Sequence, residues 1–329
     1  MTRIGIIGAG AWGTSLGMVA RRAGCDVTIW AHESETVSAI NDHHENPSFL
    51  PGVMLIPEIR ATADLAEAAD ADAVLLVMPA QFLRATTREL AAAMKPESPV
   101  VICAKGIEQN SGALMSEVAA DTLPDQKLAV LSGPTFAAEV ARGLPTAVTL
   151  ACADDDAAEF LVASLGGERF RPYRSDDVIG AEIGGAVKNV LAIACGITEG
   201  RGLGENARAA LITRGLAEMT RLCVAKGGRA ETMMGLSGLG DLTLTCASTK
   251  SRNYSLGHAL GQGEALDKIM ASRLSVAEGV HSAAAVIQLA GTLGVDMPIS
   301  QAVDGILNRG DELDAVIAGL LQRPFRSEQ

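Results

Sequence analysis

One lysine is embedded in a long apolar stretch of the chain. Lys188 lies within residues 180–215, with apolar residues on both sides along the sequence, so the predicted helix is buried almost all round. Long charged side chains are rarely buried without a partner. Lys188 therefore either extends to the surface or to a carboxylate, or it is held in a cavity. A cavity lowers a lysine pKa by as much as about 3–5 units, which allows acid–base chemistry.

Two further charged groups suit the same chemistry. Lys105 follows the predicted strand 99–103, and ligands bind beyond the carboxyl ends of strands in parallel sheets. Asp241 follows the glycine-rich turn 235–240, and for this carboxylate the alternative to a role in the site is capping of a helix. For Lys105, an ordinary loop position remains the alternative.

A group of phosphate-binding side chains is predicted at residues 248–254. Arg252 is flanked by Ser251 and Asn253, and a planar guanidinium beside neutral donors matches a phosphate ester. A surface turn with an exposed arginine is the alternative. A second set of free donors is predicted at residues 132–137, because a proline two residues after a serine is a good helix start.

The N-terminal residues carry a dinucleotide-binding pattern. Gly8, Gly10 and Gly13 form G-x-G-x-x-G after the predicted strand 3–7, and a helix and the predicted strand 26–30 follow. The first glycine makes the turn, the second lets the backbone approach a pyrophosphate, and the third lets helix and strand pack closely. The pattern predicts binding of NAD or NADP.

The residues after the second strand bear on the choice of cofactor. Glu33 follows Gly13 by 20 residues (33 − 13 = 20), the spacing at which an acidic residue bonds the 2′-hydroxyl of NAD. His32 is placed to meet the 2′-phosphate of NADP, unless it is a solvated loop residue. The sequence therefore leaves NADPH and NADH open.

Composition excludes several functional classes. The 329-residue chain has a net charge of −12, which argues against nucleic-acid and anionic-membrane partners. Its six cysteines form no C-x-x-C pair and its histidines show no metal-site spacing, so we expect no metal and a reducing compartment. No apolar run approaches 18 residues, so we expect no membrane-spanning helix and a cytoplasmic protein.

The order of predicted elements gives the fold class. Strands and helices alternate to about residue 178, which indicates a doubly wound, Rossmann-type, mostly parallel sheet. From residue 180 the periodicity is helical. We therefore predict a dinucleotide-binding domain at residues 1–179 and an all-α substrate domain at 180–329. Residues 43–57, which contain three prolines, are predicted to be a loop.

Taken together, the motifs resemble NAD(P)-dependent glycerol-3-phosphate dehydrogenase of the bacterial type over nearly the whole chain. The matching stretches are Gly8–Gly13 and residues 49–52, 105–107, 132–137, 184–190, 206–215, 235–241, 251–253 and 276–279. Several of them are long and peculiar to the family. Two alternative functions remain. Other two-domain dehydrogenases, such as ketopantoate-type reductases, do not need the phosphate-binding residues 251–253. A non-catalytic NAD(P)-binding regulator does not need Lys105, Lys188 and Asp241 together.

The resemblance implies a role for each matching residue. Lys188 would be the proton donor and acceptor, and Asp241 would orient it. The substrate, dihydroxyacetone phosphate or sn-glycerol 3-phosphate, would contact Lys105, Gly133, Thr135, Lys188, Asp241, Ser251, Arg252 and Asn253. The cofactor would contact Gly8, Gly10, Ala11, Trp12, Gly13, His32, Lys105, Ala137, Arg252, Val276 and Glu278.

Three departures from the family pattern accompany the resemblance. Ala11 and Thr135 stand where many relatives have serine, and positions 31–33 lack an arginine that many relatives carry. The missing arginine leaves the cofactor preference open. The apolar helical domain also makes a homodimer an expectation, and a role in supplying the glycerol phosphate backbone of phospholipids is implied.

Overall fold

A computed structural model of the protein describes residues 1–271 and 278–324. Eight strands form one sheet: β1 (Arg3–Ile7), β2 (Asp26–Trp30), β3 (Arg60–Thr62), β4 (Ala73–Leu76), β5 (Val100–Ile102), β6 (Leu128–Ser132), β7 (Thr146–Cys152) and β8 (Phe170–Ser175). The helices between the strands are α1 (Ala11–Arg22), α2 (Ser34–His43), α3 (Leu65–Ala69), α4 (Leu83–Leu90), α5 (Met115–Thr122), α6 (Ala137–Ala141) and α7 (Asp155–Leu165).

Helices make up the described chain after β8. They are α8 (Val178–Gly200), α9 (Glu205–Lys226), α10 (Ala230–Met233), α11 (Asp241–Thr245), α12 (Arg252–Gly261), α13 (Leu266–Ala271), α14 (Glu278–Thr292), α15 (Pro298–Asp304) and α16 (Leu313–Leu321). A short 3-10 turn covers Ala80–Phe82, and π-helical turns cover Leu236–Gly240 and Gly305–Arg309.

The sheet has the strand order β3-β2-β1-β4-β5-β6-β7-β8. All neighbouring pairs are parallel except β6 and β7. The order reverses between β1 and β4, and this crevice is where such sheets bind dinucleotides. The predicted Rossmann-type, mostly parallel sheet followed by helices is confirmed. The short strand β3 was not predicted, because its three residues carry little periodicity.

Buried Ala, Val, Leu and Ile side chains fill the space on both faces of the sheet, because a parallel sheet is covered by helices on each side. A third apolar cluster belongs mainly to the helical part and also includes Ile107 and Leu114. Helix α8 lies at its centre, and every residue from Gly180 to Thr198 is buried.

The apolar stretch 180–215 forms two helices, which are separated at a glycine-rich segment. Helix α8 ends at Gly200 and α9 begins at Glu205. Gly202 and Gly204 between them have φ values of 66° and 87°, which glycine adopts without the steric cost that other residues incur. The break turns the chain back, so that α9 packs beside α8.

A membrane span requires about 20 mostly apolar residues, which is a test of length and composition alone. Among the described residues, one helix, α8, meets that test, since only isolated charges interrupt its small apolar residues. Of its most apolar window, 89% is buried inside the protein. Its apolar character is therefore that of a core helix.

Glycines on α8 bring two other segments against it. A Cβ atom at Gly184 would collide with the backbone of Ser237, in the turn that leads to Asp241. A Cβ at Gly196 would collide with the carbonyl oxygen of Tyr254 on α12. These contacts place the beginnings of α11 and α12 along the helix that carries Lys188.

Candidate active site

Three charged side chains meet where the sheet faces α8. Lys188 Nζ lies 2.5 Å from Asp241 Oδ1, and Lys105 Nζ lies 2.7 Å from Asp241 Oδ2. Lys188 Nζ also lies 3.0 Å from Thr245 Oγ1. Residues that are far apart in the chain thus form one Lys105–Asp241–Lys188 triad, in which two ammonium groups share one carboxylate.

The triad is withdrawn from solvent. The Lys188 side chain is 9% exposed and the Asp241 side chain 0%, so Lys188 does not extend to the surface. Burial lowers the pKa of Lys188 to about 8; the Asp241 carboxylate opposes this shift, and the Lys105 ammonium adds to it. At neutral pH the Lys188 amine is therefore mostly protonated, yet it releases its proton more readily than an ordinary lysine.

The position of Asp241 follows from the turn before it. Asp241 is the first residue of α11, and its carboxylate accepts from the two lysines rather than capping the helix. Thr245 lies one turn later and donates to the backbone oxygen of Asp241 at 2.6 Å. Thr245 was not predicted, although its i, i+4 spacing from Asp241 places both residues on one helix face.

Lys105 reaches the triad from the end of the sheet. It follows β5, and its Nζ donates to the carbonyl oxygen of Gly133, after β6, at 3.3 Å. The Thr135 hydroxyl donates to the same oxygen at 3.3 Å. The carboxyl ends of two neighbouring strands thus bring Lys105, Gly133 and Thr135 together, as predicted for ligand-binding groups in such sheets.

The side chains predicted to bind phosphate lie at the start of α12. Ser251 is the N-cap of this helix, and its hydroxyl accepts from Tyr254 N at 3.2 Å. Asn253 is buried; it donates to Asn189 Oδ1 at 2.9 Å, and its Oδ1 accepts from Gly279 N at 3.0 Å. Arg252 is exposed. Ser251 and Asn253 thus hold the helix start in place, and Arg252 faces outward from it.

One predicted cofactor residue carries a carboxylate near these cations. Glu278 begins α14. Burial raises its pKa, while the charges of Arg252, Lys105 and Lys188 act in the opposite direction. Glu278 is therefore electrostatically linked to the triad and to Arg252. The predicted contact Val276 lies outside the described residues.

The glycine-rich turn fits the pyrophosphate of a dinucleotide. A Cβ at Gly8, whose φ is 121°, would lie against the backbone of Val77 and Met78. A Cβ at Gly13 would collide with the Gly8 carbonyl, whereas at Gly10, the N-cap of α1, it would meet no described atom within 4 Å. The space beside Gly10 and the helix N-terminus suits a phosphate.

The remaining predicted cofactor residues surround this turn. Ser15 Oγ lies 2.7 Å from the carbonyl oxygen of Ala11 and 2.8 Å from that of Ala137, which joins α1 to the start of α6. Trp12 Nε1 is buried without a hydrogen-bond partner among the described residues, so it has a donor to offer. His32 is exposed just after β2, at the place predicted for the adenosine ribose.

The arrangement provides the parts of a dehydrogenase site. Adjacent elements carry a dinucleotide-binding turn, a buried amine with a lowered pKa, and an arginine at the start of a helix. The amine can exchange a proton with an oxygen atom, and the second ammonium can stabilise negative charge on that oxygen.

Comparison with known proteins agrees with this geometry. Residues 3–158 match the family model for the N-terminus of NAD-dependent glycerol-3-phosphate dehydrogenase, and residues 177–318 match the model for its C-terminus. The chain is 59% identical to glycerol-3-phosphate dehydrogenase [NAD(P)+] of Parvibaculum lavamentivorans, covering 99% of this chain and 98% of the relative. It is 61% identical to the protein of the same name in Rhodospirillum rubrum, covering 99% and 93%.

A solved structure has the same fold. The crystal structure of glycerol-3-phosphate dehydrogenase from Coxiella burnetii matches with a TM-score of 0.94 and 38% identity, covering 98% of this chain and 99% of that one. The similarity therefore extends over both the sheet and the helices. The chain belongs to the NAD-dependent glycerol-3-phosphate dehydrogenase family.

Proposed function

We propose that this chain reduces dihydroxyacetone phosphate to sn-glycerol 3-phosphate with NADPH or NADH, reversibly, and that Lys188 is its catalytic residue. Enzymes of this family act on small phosphorylated molecules with an NAD(P) cofactor. The observation that carries the residue assignment is the buried Lys105–Asp241–Lys188 triad at the carboxyl ends of the strands.

The cofactor would be held by the glycine-rich turn and the residues around it, namely Gly8, Gly10, Ala11, Trp12, Gly13, His32, Lys105, Ala137, Arg252, Val276 and Glu278. When bound, NAD(P)H supplies the hydride that reduces C2 of the substrate. The chain's own residues would exclude water from this position and keep the pyrophosphate at the N-terminus of α1.

Lys188 donates and accepts the proton of the reaction. In the reductive direction its ammonium donates a proton to the oxygen on C2, and in the oxidative direction the neutral amine takes it back. Lys105 places a second ammonium near the same oxygen, where negative charge develops. Asp241 holds both amines through its two carboxylate oxygens, which fixes the direction of Lys188 Nζ.

The phosphate would be bound at the start of α12. Arg252 presents a guanidinium fork there, and Ser251 and Asn253 add neutral donors. Gly133 and Thr135 would line the opposite side, next to Lys105. Binding energy gained at the phosphate helps to align C2 with the triad.

A substrate panel tests the activity. Oxidation of NADPH and NADH is followed at 340 nm with dihydroxyacetone phosphate, dihydroxyacetone, ketopantoate and 2-oxo acids. We expect turnover with dihydroxyacetone phosphate and at least a hundredfold lower kcat/KM with the unphosphorylated ketones. Faster reduction of ketopantoate or a 2-oxo acid would assign the chain to another dehydrogenase class, and no turnover of any ketone would indicate a regulator.

The wider setting of the enzyme is also proposed. Residues 1–179 and 180–329 would act as two domains with the active site between them. The protein would be cytoplasmic, possess no metal, and bind neither nucleic acid nor membranes, in keeping with its net charge of −12. A homodimer and a role in supplying glycerol phosphate for phospholipids complete the proposal.

Arg252→Ala tests the phosphate contact. Losing one charge-assisted hydrogen bond costs about 1.5–3 kcal/mol, so kcat/KM for dihydroxyacetone phosphate should fall about 10- to 150-fold. Lys250→Ala is the control, because Lys250 is a neighbouring exposed cation paired with Glu139. An Arg252→Ala enzyme that matches the control would show that the phosphate binds elsewhere.

His32→Ala tests the cofactor preference. His32 is exposed just after β2, where an imidazole can donate a hydrogen bond to the 2′-phosphate of NADPH. The ratio of kcat/KM for NADPH to that for NADH should therefore be lower in His32→Ala than in the unmodified enzyme. An unchanged ratio in the variant would exclude His32 as a contact of the 2′-phosphate.

A further inference from the structure

A groove lies away from the triad, at the C-terminal end of α1. It has a volume of about 530 Å³ and is bounded by the C-terminal ends of α1 and α6 and by the residues that lead into β8. Helix α1 has 12 residues and is therefore about 18 Å long. The first groove residue on this helix, Val19, follows Gly10 of the glycine-rich turn by nine residues (19 − 10 = 9), or about 13 Å along the helix.

The floor of this groove is apolar and well ordered by packing. Val19, Val140, Leu165 and Phe170 are each at most 6% exposed, whereas Leu144 at the rim is 46% exposed. The volume falls within the range of about 300–1,000 Å³ that is usual for small-molecule sites. An apolar part of a ligand would find contacts on both the floor and the rim.

Three arginines line the groove together with one acidic residue, Glu168. Arg22 donates to the backbone oxygens of Val140 (3.2 Å) and Ala141 (2.5 Å), so it joins the last turns of α1 and α6. The side chains of Arg142 and Arg169 make no hydrogen bond or ion pair with residues 1–271 or 278–324. Glu168 lines the same groove without pairing with either of them.

This charge pattern is unusual for the chain. The protein has a net charge of −12, yet the lining of this groove sums to +2. Helix C-termini favour cations, which accounts for Arg22 and Arg142 at the ends of α1 and α6. It does not account for Arg169, which lies between α7 and β8. Unpaired guanidinium groups match the oxygens of a phosphate ester.

We propose that this groove binds a soluble organic phosphate with an apolar body, at a site separate from the substrate and cofactor sites. Arg142 and Arg169 hold the phosphate, and the apolar body lies along Leu144 and Phe170. The acidic surface of the rest of the chain disfavours an anionic membrane as the source of the phosphate.

Titration calorimetry on the full chain tests the proposal with octyl phosphate as the probe. NAD⁺ and dihydroxyacetone phosphate, which cannot react with each other, are present at saturation so that the substrate and cofactor sites are filled. We expect one molecule of octyl phosphate to bind per chain. Arg142→Ala/Arg169→Ala should raise its Kd at least tenfold, while the exposed pair Arg88→Ala/Arg214→Ala should leave it unchanged.

Two further arms separate the alternatives. Inorganic phosphate should bind at least tenfold more weakly than octyl phosphate, because it cannot use the apolar floor. Vesicles containing phosphatidic acid should not retain the protein in flotation. The proposal is overturned by the absence of octyl phosphate binding, by equal Kd values for the two double variants, or by capture on the vesicles in place of binding to the soluble probe.

Discussion

Lys188→Met is expected to lower kcat for dihydroxyacetone phosphate reduction by roughly 10²–10⁴, the usual contribution of a general acid. Methionine keeps most of the volume of the buried stem and removes only the amine. The Kd for NADPH should stay within a factor of about two, because the glycine-rich turn lies in a different part of the chain. Steady-state kinetics and fluorescence titration measure the two quantities.

The same variant should not be less stable than the unmodified protein at pH 7. The pKa of Lys188 in the folded protein is about 8, below that of an unfolded lysine at about 10.4. The unfolded chain therefore binds more protons between these values, so stability rises with pH across that window, and the cost of burying the charge is fully present below pH 8. Methionine removes this cost, and Asp241 keeps Lys105 as its partner.

Lys127→Met is the control for both measurements, since Lys127 is an exposed lysine that pairs with Asp154. A Lys188→Met enzyme that remained active but melted many degrees lower would make Lys188 a structural ion-pair residue. Loss of kcat with an unchanged Tm would instead separate its chemical role from folding.

Asp241→Asn is expected to have a larger effect on stability than any other single change in the triad. It leaves two ammonium groups beside a neutral amide in a buried site, and breaking a buried pair in this way costs about 3–5 kcal/mol. The pKa of Lys188 should fall below its present value of about 8, because the carboxylate that raises it is gone. Less of the amine is then protonated at pH 7, so kcat for reduction should also fall.

The pH dependence of the stability lost in Asp241→Asn shows whether charge is its cause. In Asp241→Asn the folded-state pKa of Lys188 is lowered further from its unfolded value, so the destabilisation should be largest below that pKa and should decrease as the pH rises. Thermal melts at pH 7 and pH 9 measure it. Equal Tm losses at the two pH values would show that the asparagine disrupts packing rather than charge balance.

The fold was largely predictable because its signals are local. Local sequence patterns are enough to predict the glycine turn at Gly8–Gly13, the short apolar strands, and the change to helical periodicity near residue 179. The break at Gly202 and Gly204 was visible in the sequence as a glycine-rich segment, but the turn of the chain there depends on their φ values. Strand β3 was missed because it is stabilised mainly by pairing with β2.

The members of the site and the pairing of Asp241 with Lys188 could be predicted, but the sharing of the Asp241 carboxylate by both lysines could not. Lys105, Lys188 and Asp241 could each be proposed from residue type and position. This sharing depends on the close contact between Gly184 of α8 and the turn before Asp241. The two segments are far apart in the sequence, so the contact arises only in the folded protein. The internal hydrogen bonds of Asn253 and the contact of Thr245 with Lys188 likewise arise only from tertiary packing.

The pH dependence of kcat/KM for dihydroxyacetone phosphate reduction tests the role of Lys188 most directly, because this quantity reports the groups that ionise in the free enzyme. Since the acid form donates the proton, kcat/KM should be constant near pH 7 and fall about tenfold per pH unit above an apparent pKa of about 8. The residual activity of Lys188→Met should lack this limb. A profile that stays flat to pH 9.5, or a limb near pH 8 that persists in Lys188→Met, would contradict the assignment.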